Sequence, residues 1–380
     1  MSVKHSVARV VLRGPVLRAW YERKIHRIER VYLKETVRQS SIEKTEPKTV
    51  RLRTGEPLRR ILFIGDIMWE QNFLVPELRR LAETLSLDLR PYVRDLLPGP
   101  ALTTAVVSAL RAFIGEQNGW EPDVILLYAR SPLLSDELFA ALRSRWKCPV
   151  VGMQLDDKVN FLAHGIIPSE SNDNYAHWAK RFDLNLTNCL VVSDWYRACG
   201  LPIVYFPQGF LNEDLSPPAV SPAYRHELSF LGSIKPDREV IVNRLLAEGV
   251  PIDLFGKGWP NAQWVENPTE IYRSSQINLG IGFATPNLTT IKGRDFECPG
   301  VGACYLTTYN WELANWFDLG KEILLYRCVE ELLEMLSYYR RRPEECARIA
   351  LAAWHRCKAE HTWEKRFRKL FRQLGFGIAE

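Results

Sequence analysis

The segment KGRDFECPGVGACYLTTYNWELANWFDLGKEILLY, residues 292–326, carries two predicted strands and a candidate ligand site. Arg294 and Glu297 lie three positions apart, so they share one face if this part is helical. Residues 304–308 and 322–326 have the apolar and β-branched character of strands, with a short Trp- and Phe-rich helix between them. Helices alternating with strands indicate a parallel α/β sheet. A basic and an acidic side chain on one such helix suit a phosphate and a sugar hydroxyl.

The same alternation extends along the chain in both directions from this segment. Four prolines interrupt it at 207–225, which we interpret as an interdomain linker. We therefore predict an α/β protein with two Rossmann-like parallel-sheet domains, 58–206 and 226–360. The strands are predicted at 59–66, 89–93, 123–129, 149–155, 183–187, 189–192, 203–206, 227–231, 252–255 and 277–281. The helices are predicted at 70–86, 101–115, 135–146, 237–248, 268–275, 329–340, 343–359 and 361–374.

Composition favours a soluble globular protein without a zinc site. The chain has 380 residues, of which 46% are hydrophobic and 25% charged, and this length fits two domains. No apolar run approaches the roughly 20 residues that span a bilayer, and the N-terminus lacks a secretory apolar core. The eight cysteines form no CxxC pair, so we expect reduced thiols and a cytoplasmic location.

The N-terminal arm, residues 1–57, carries the basic character of the chain. Residues 1–60 hold 16 Lys and Arg against 6 Asp and Glu, whereas the remainder holds 34 against 39. Residues 6–38 have apolar positions at helical spacing, which predicts an amphipathic helical extension. It either lies on an anionic membrane surface, at the inner face, or packs on the protein itself. It has no nucleic-acid recognition signature, so we expect no nucleic-acid partner.

Two glycine-containing turns follow predicted strands of the C-terminal half, where open α/β sheets bind ligands. At Gly232-Ser233 the next helix offers free N–H groups to an anion, and Arg238 adds positive charge. At Gly256-Lys257-Gly258 the glycines allow a loop to approach a flat ligand, on which Trp259 could stack. Each turn also has a purely structural interpretation, as a tight strand-to-helix connection with solvated cations.

Three residues of the N-terminal half are candidates for acid–base catalysis. Asp156 and Asp157 follow a buried strand and are expected to project into the cleft between the domains, where a carboxylate could accept a proton from an acceptor hydroxyl. His164 is the third candidate, and Asp66 is a further polar group facing the same cleft. The alternative is structural, because paired aspartates often cap helices and single histidines are often structural. No third ligand accompanies the paired aspartates, so no metal site is predicted.

These features together resemble the CgeB-like, spore-maturation-type glycosyltransferases, which have the GT-B fold and are related to family 4 glycosyltransferases. The resemblance covers residues 59–375. The matching positions are Gly232-Ser233 with Arg238, the run from Phe255 to Trp259, Arg294-Asp295-Phe296-Glu297, Gly302-Ala303, the run from Glu322 to Tyr326, and His361-Thr362-Trp363 with Arg366-Phe367.

The resemblance implies a metal-independent enzyme, without cofactor, that takes a nucleotide-diphosphate sugar as its donor. Glu297 corresponds to the family's ribose ligand, and Arg238 to the lysine of its phosphate-binding pair. Ser233 stands at the arginine of that pair, and Thr289 at the first of the family's two glutamates. The resemblance also implies that residues 361–380 form a helix crossing back to the N-terminal domain.

We therefore predict a glycosyltransferase of the hexosyltransferase type, acting in polysaccharide or glycoconjugate biosynthesis on an unidentified acceptor. The donor site would comprise the two glycine turns together with Arg294 and Glu297. Two alternatives remain open. One is a catalytically silent nucleotide-sugar-binding or membrane-surface scaffold protein, which the non-acidic Thr289 favours. The other is a GT-B nucleotide-sugar epimerase.

Overall fold

The computed structural model describes residues 52–53, 55–117, 119–161, 175–213, 215–219, 223–260, 265, 267–285 and 288–378. The predicted basic helix at 6–38 lies outside these residues. Two parallel sheets with helices on both faces form the structure, so the predicted α/β class with two Rossmann-like domains is confirmed. No described helix is both long enough and apolar enough to cross a bilayer.

The N-terminal domain contains a six-stranded parallel sheet in the order β2-β1-β3-β4-β5-β6. Strands β1 and β3 lie at its centre and consist almost wholly of buried apolar residues, as parallel strands covered on both faces require. The strands are β1 Arg60–Gly65, β2 Glu83–Asp88, β3 Val124–Tyr128, β4 Val150–Gln154, β5 Leu184–Thr187 and β6 Ile203–Tyr205.

The C-terminal domain contains a five-stranded parallel sheet in the order β13-β12-β9-β7-β8. A small antiparallel hairpin, β10–β11, leaves the carboxyl end of β9. The strands are β7 His226–Leu231, β8 Asp253–Phe255, β9 Ser275–Leu279, β10 Phe283–Thr285, β11 Leu288–Thr289, β12 Tyr305–Thr308 and β13 Leu324–Tyr326.

The described helices connect these strands and cover both sheets. They are α1 Met68–Phe73, α2 Val75–Arg79, α3 Arg90–Val93, α4 Pro100–Glu116, α5 Asp136–Arg145, α6 Asp157–Asn160, α7 Tyr175–Ala179, α8 Leu190–Ala198, α9 Pro236–Ala247, α10 Pro268–Ser274, α11 Arg294–Gly300, α12 Val329–Tyr339, α13 Pro343–Glu360 and α14 Trp363–Gln373. Short 3-10 helices occupy Ser131–Leu133 and Trp311–Asn315.

Three of the predicted elements were wrong. The helix predicted at 70–86 is two short helices followed by β2, and the strand predicted at 89–93 is helix α3. Within 83–88 Leu85 and Leu87 alternate with polar residues, which is the period of a strand, and β2 gains its hydrogen bonds from β1. Residues 189–192 begin helix α8, whose apolar face packs into the domain core, where Val192 and Trp195 are fully buried.

Helix α14 packs on the N-terminal domain, although it follows the C-terminal domain in the chain. Its apolar residues Trp363, Phe367 and Phe371 are fully buried in one cluster with the central strands of the N-terminal sheet. The Glu364 N–H donates to a carboxylate oxygen of Glu77 on α2 at 3.0 Å. The Leu52 N–H donates to the Leu374 carbonyl at 2.9 Å, so the helix also holds the start of the described chain.

Shortening the buried face of α14 should destabilise the N-terminal domain. Phe367→Ala deletes a fully buried ring and should lower the free energy of unfolding by about 3–5 kcal/mol. Lys369→Ala, on the exposed face of the same helix, should change it by less than about 0.5 kcal/mol. Denaturant unfolding followed by tryptophan fluorescence measures both variants, and equal midpoints for the two would contradict this packing.

Candidate functional site

The carboxyl ends of the two sheets face each other across a cleft, and several hydrogen bonds join its walls, of which three involve side chains near the candidate residues. Trp69 Nε1, on α1, donates to Glu297 Oε1 at 2.8 Å. Lys292 Nζ contacts Asp156 Oδ1 at 2.9 Å. Lys158 Nζ donates to the carbonyl of Thr289 at 2.9 Å. The candidate residues from both domains are therefore brought to one place, as expected at the carboxyl ends of parallel strands.

The turns after β7 and β8 form one compact unit. The Gly232 N–H donates to Phe255 O at 2.8 Å, and Trp259 Nε1 donates to Gly232 O at 2.8 Å. Gly256 has φ +112°, and a Cβ there would come within 2.8 Å of the Gly232 carbonyl oxygen. Only glycine therefore fits this close approach. Both the N–H and the carbonyl of Gly232 are thus engaged within the unit.

The other members of these turns have distinct surroundings. The Trp259 ring is only 6% exposed and packs edge-on against Phe230 with centroids 6.0 Å apart, so it braces the turn and offers no open face to a nucleobase. Gly258 has φ +96°, and a Cβ there would lie 2.3 Å from Ile234 Cγ2. Lys257 is exposed. The carbonyl of Ser233 accepts a hydrogen bond from Arg238.

Two arginines converge on one aromatic ring beside this turn. The guanidinium carbons of Arg238 and Arg294 lie 5.6 Å and 5.3 Å from the ring centroid of Phe230. Arg238 Nη1 donates to Ser233 O at 2.7 Å. Gly232 leaves the space that Arg294 occupies, because a Cβ there would lie 2.9 Å from Arg294 Nη2. Burial, and then the charge of Arg294, lower the pKa of Arg238 to about 10.

Arg294 Nη1 is buried and has no hydrogen-bond partner within the described part of the chain. A buried donor left without an acceptor is costly, and a charged one more so, so such a group marks a place where an acceptor belongs. The donor points to an anion, since guanidinium groups form their strongest hydrogen bonds with phosphate and carboxylate oxygens.

Two lysines add to this positive region. Burial, followed by the charges of Lys292 and Arg238, lowers the pKa of Lys235. The charge of Lys292 outweighs burial and lowers the pKa of Asp156, which keeps this carboxylate ionised. Among the described residues, the C-terminal wall places four cations here, Lys235, Arg238, Lys292 and Arg294, and one of them, Lys292, forms an ion pair with Asp156.

Three side chains of helix α11 have three different surroundings: the neighbouring strand, the domain core and the cleft. Asp295 accepts hydrogen bonds from the Lys292 N–H at 2.8 Å and from Tyr305 Oη at 2.9 Å, which fixes the first turn of the helix on β12. Phe296 is fully buried in the domain core. Glu297 points to the cleft, where burial raises the pKa of its carboxyl despite the hydrogen bond from Trp69.

The N-terminal candidates do not share one environment. The Asp156 side chain is half exposed and reaches the cleft. Asp157 is wholly buried, and burial raises its pKa well above the usual value although the hydroxyls of Thr187 and Tyr196 oppose this. His164 lies outside the described residues.

Trp69, Lys158 and Lys292 form the contacts across the cleft but were not among the predicted site residues. Lys292 lies two positions before Arg294, and a count of cations near the predicted helix would have included it. Trp69 lies four positions after β1, and its partner is on the other domain, so no local pattern relates the two. Among the described residues, no group of three His, Cys, Asp or Glu side chains is placed to hold a metal ion.

Comparisons with known proteins agree with this architecture. Residues 238–372 match a protein-family model described as glycosyl transferase-like. Sucrose-phosphate synthase from Thermosynechococcus elongatus is 12% identical, with TM-score 0.59 over 83% of this chain and 99% of that chain. Anabaena Alr3699/HepE in complex with UDP and glucose is 13% identical, with TM-score 0.56 over 83% of this chain and 99% of that chain. A search of curated protein sequences finds no match.

The fold is GT-B. Both structural relatives are matched along nearly their whole length, so the likeness includes both domains. The family match falls in the C-terminal part, which contains Arg238, Arg294 and Glu297. This part of the chain is therefore glycosyl transferase-like in sequence as well as in fold.

The hydrogen bond between Trp69 and Glu297 should contribute measurably to holding the two domains together. Trp69→Phe keeps the aromatic contacts with Phe73 and Trp363 and removes the N–H donor. In a double-mutant cycle with Glu297→Met, the coupling free energy should be about 1.5–3 kcal/mol, the range for hydrogen bonds to charged groups. Denaturant unfolding of the wild type, the two single variants and the double variant measures this coupling free energy. Additive effects of the two substitutions would contradict the contact.

Proposed function

We propose that the protein is a glycosyltransferase that moves a sugar from a nucleotide-diphosphate donor to an acceptor hydroxyl. The observation that carries this proposal is the buried, unpartnered Nη1 of Arg294, which lies with Arg238 around Phe230. Two guanidinium groups forced together at the end of a sheet repel each other, and an anion between them relieves that repulsion. A diphosphate supplies two negative charges and several acceptor oxygens.

The donor would lie along the C-terminal wall. Its diphosphate would contact Gly232, Ser233, Arg238 and Arg294, and its base would lie near the Gly256-Lys257-Gly258 turn braced by Trp259. The ribose would bind Glu297, with Oε1 held by Trp69 and Oε2 accepting the ribose hydroxyl. The glycosyl transferase-like match over residues 238–372 supports this placement, because it includes most of these positions.

The reaction needs stabilisation of the leaving nucleotide diphosphate. Negative charge develops on the phosphate oxygen as the bond to the sugar breaks, and preorganised cations stabilise it. Lys235 and Lys292 complement the two arginines at this place. We propose that these four cations perform the task without a metal ion. Closure of the cleft, held by Trp69 and Lys292, would exclude water from the reacting atoms.

The acceptor would bind at the N-terminal wall. Proton acceptance from its hydroxyl was predicted for Asp156, Asp157 or His164, and these assignments stay predictions. Asp156 is the described member of this set at the cleft, and its ion pair with Lys292 connects it to the donor side. The chemistry of the cleft does not distinguish among hexoses, so the sugar is left open.

Removing the unpartnered guanidinium should weaken nucleotide binding. Arg294→Met should raise the dissociation constant for UDP or GDP about 10- to 100-fold, the loss expected for hydrogen bonds to a charged group. Arg244→Met, on the outer face of the helix that carries Arg238, removes a surface ion pair with Glu248 and should leave affinity unchanged. Titration calorimetry with both nucleotides measures this, and equal affinity of Arg294→Met and the wild type would refute the donor site. Release of nucleotide from UDP- and GDP-sugars then separates a transferase from a silent binding protein.

We further propose that the protein associates peripherally with the cytoplasmic face of a membrane through residues 6–38. This proposal rests on the net charge of +10 in residues 1–60, which is 16 minus 6. Deleting residues 1–38 should abolish co-sedimentation with vesicles containing about 30% anionic lipid, because basic amphipathic segments bind such surfaces. Full-length protein with neutral vesicles is the control, and undiminished binding of the deletion variant would refute the role.

A further inference from the structure

A second group of titratable residues lies at the cleft edge of the N-terminal sheet. Asp66 directly follows β1, Glu70 lies in the first turn of α1, and Arg130 follows β3. Asp66 is 6% exposed and Glu70 is 0% exposed. Arg130 Nε donates to Asp66 Oδ2 at 2.5 Å, and the Arg130 N–H lies 3.4 Å from Asp66 Oδ1. None of these residues belongs to the donor site described above.

The carboxyl group of Glu70 is held against the turn that follows β1. Its Oε2 accepts the Ile67 N–H at 3.3 Å, and a Cβ on Gly65 would lie 2.1 Å from the same oxygen. Its Oε1 is buried and has no hydrogen-bond partner among the residues that the structure describes. Burial, and then the charge of Asp66, raise the pKa of Glu70 to about 9. Glu70 is therefore a neutral acid at pH 7, with an O–H donor to offer.

Asp66 differs from Glu70 in its partner. Burial raises the pKa of Asp66, and the guanidinium of Arg130 opposes this and favours the carboxylate. The other titratable groups near the two carboxyls are Asp88, which is paired with Arg90, and Tyr128 at the end of β3. Among the described residues, Glu70 thus lacks a cationic partner in an ion pair, whereas the Asp66 carboxylate has one in Arg130.

The geometry also places this pair beside the donor site. Trp69 lies between Asp66 and Glu70 in sequence, and its indole N–H reaches Glu297 on the opposite wall. Asp66 follows β1 and Asp156 follows β4, and these parallel strands flank β3, so the pair and the Asp156–Lys292 bridge lie at the same edge of the sheet. The pair therefore lies on the same edge of the sheet as the residue, Trp69, that reaches Glu297.

We propose that Asp66 and Glu70, in place of the predicted Asp156, Asp157 or His164, form the site that binds and deprotonates the acceptor hydroxyl. This inference rests on the glycosyltransferase function proposed above. A hydroxyl is both donor and acceptor, so it can receive a hydrogen bond from the neutral Glu70 and give one to the Asp66 carboxylate. As the hydroxyl oxygen bonds to the anomeric carbon, the proton passes to Asp66. The bond from that carbon to the diphosphate breaks, and its electron pair leaves with the nucleotide.

The first test replaces the proposed base. Asp66→Asn should lower the rate of nucleotide release about 100-fold or more, the usual effect of losing a general base, while UDP affinity stays within about twofold. Asp88→Asn is the matched control, because it removes a carboxylate from the neighbouring strand end and should keep the rate within about threefold. The substrates are UDP-glucose, UDP-galactose, UDP-N-acetylglucosamine and GDP-mannose, with water as acceptor. Asp66→Asn with a near-normal rate overturns the proposal.

The second test does not depend on Asp66→Asn folding. Arg130 is largely exposed, so Arg130→Met should be tolerated. Loss of the guanidinium raises the pKa of Asp66, and a base acts only when deprotonated, so the acid limb of the pH–rate profile should move to higher pH. Glu70→Gln keeps an N–H donor and should lower the rate less than Glu70→Ala does. An unmoved acid limb, or equal losses in the two Glu70 variants, contradicts the assignment.

Two measurements on the wild-type protein distinguish a wrong donor site from a wrong acid–base assignment. If the wild type binds neither UDP nor GDP, the donor site itself is wrong. If it binds the nucleotide but releases none from any of the four sugar nucleotides over a day, the acid–base role of Asp66 and Glu70 is refuted while the binding site stands.

Discussion

The arrangement of both domains depends on two chain segments that cross between them side by side. The Phe210 N–H donates to His361 O at 3.2 Å, and the Trp363 N–H donates to Phe210 O at 3.0 Å. Gly209 lets the segments approach this closely, because a Cβ there would lie 2.8 Å from His361 O. Since α14 then returns to the N-terminal sheet, the crossing keeps the carboxyl ends of the two parallel sheets facing each other.

The crossing contains a buried histidine, His361, whose ring is neutral because it is buried. His361 donates from Nε2 to Trp316 O at 2.9 Å, and Nδ1 accepts from Arg366 Nη2 at 3.0 Å. Burial and then the charge of Arg366 lower the pKa of His361 to about 4, so the ring stays neutral at physiological pH. The guanidinium of Arg366 also stacks over Trp316 at 4.4 Å. The crossing is thus held by hydrogen bonds of a histidine ring that does not change its charge near pH 7.

The two walls of the cleft carry different ionisable groups, with cations on the C-terminal wall and carboxyl groups on the N-terminal wall. The C-terminal wall concentrates Lys235, Arg238, Lys292 and Arg294, whereas the N-terminal wall carries Asp66, Glu70 and Asp156. The cations are stabilised by an anion, and the carboxyl groups are stabilised by hydrogen bonds from hydroxyls or by ion pairs with cations. The proposed anionic donor on one wall and hydroxyl acceptor on the other would provide both kinds of stabilisation.

Local patterns were enough to predict the two-sheet α/β class and to place Arg238, Arg294 and Glu297 near strand ends, because apolar strands and the turns after them are visible in short stretches of sequence. They did not determine β2, whose alternation is short and whose hydrogen bonds come from β1. Three features of the site became visible in the folded protein alone. Trp69 reaches Glu297, and Trp259 braces a turn. Asp157 is buried, whereas Asp156 is not. Those outcomes depend on contacts between residues distant in sequence, or on which side of a turn a side chain leaves the backbone, and no local pattern encodes either.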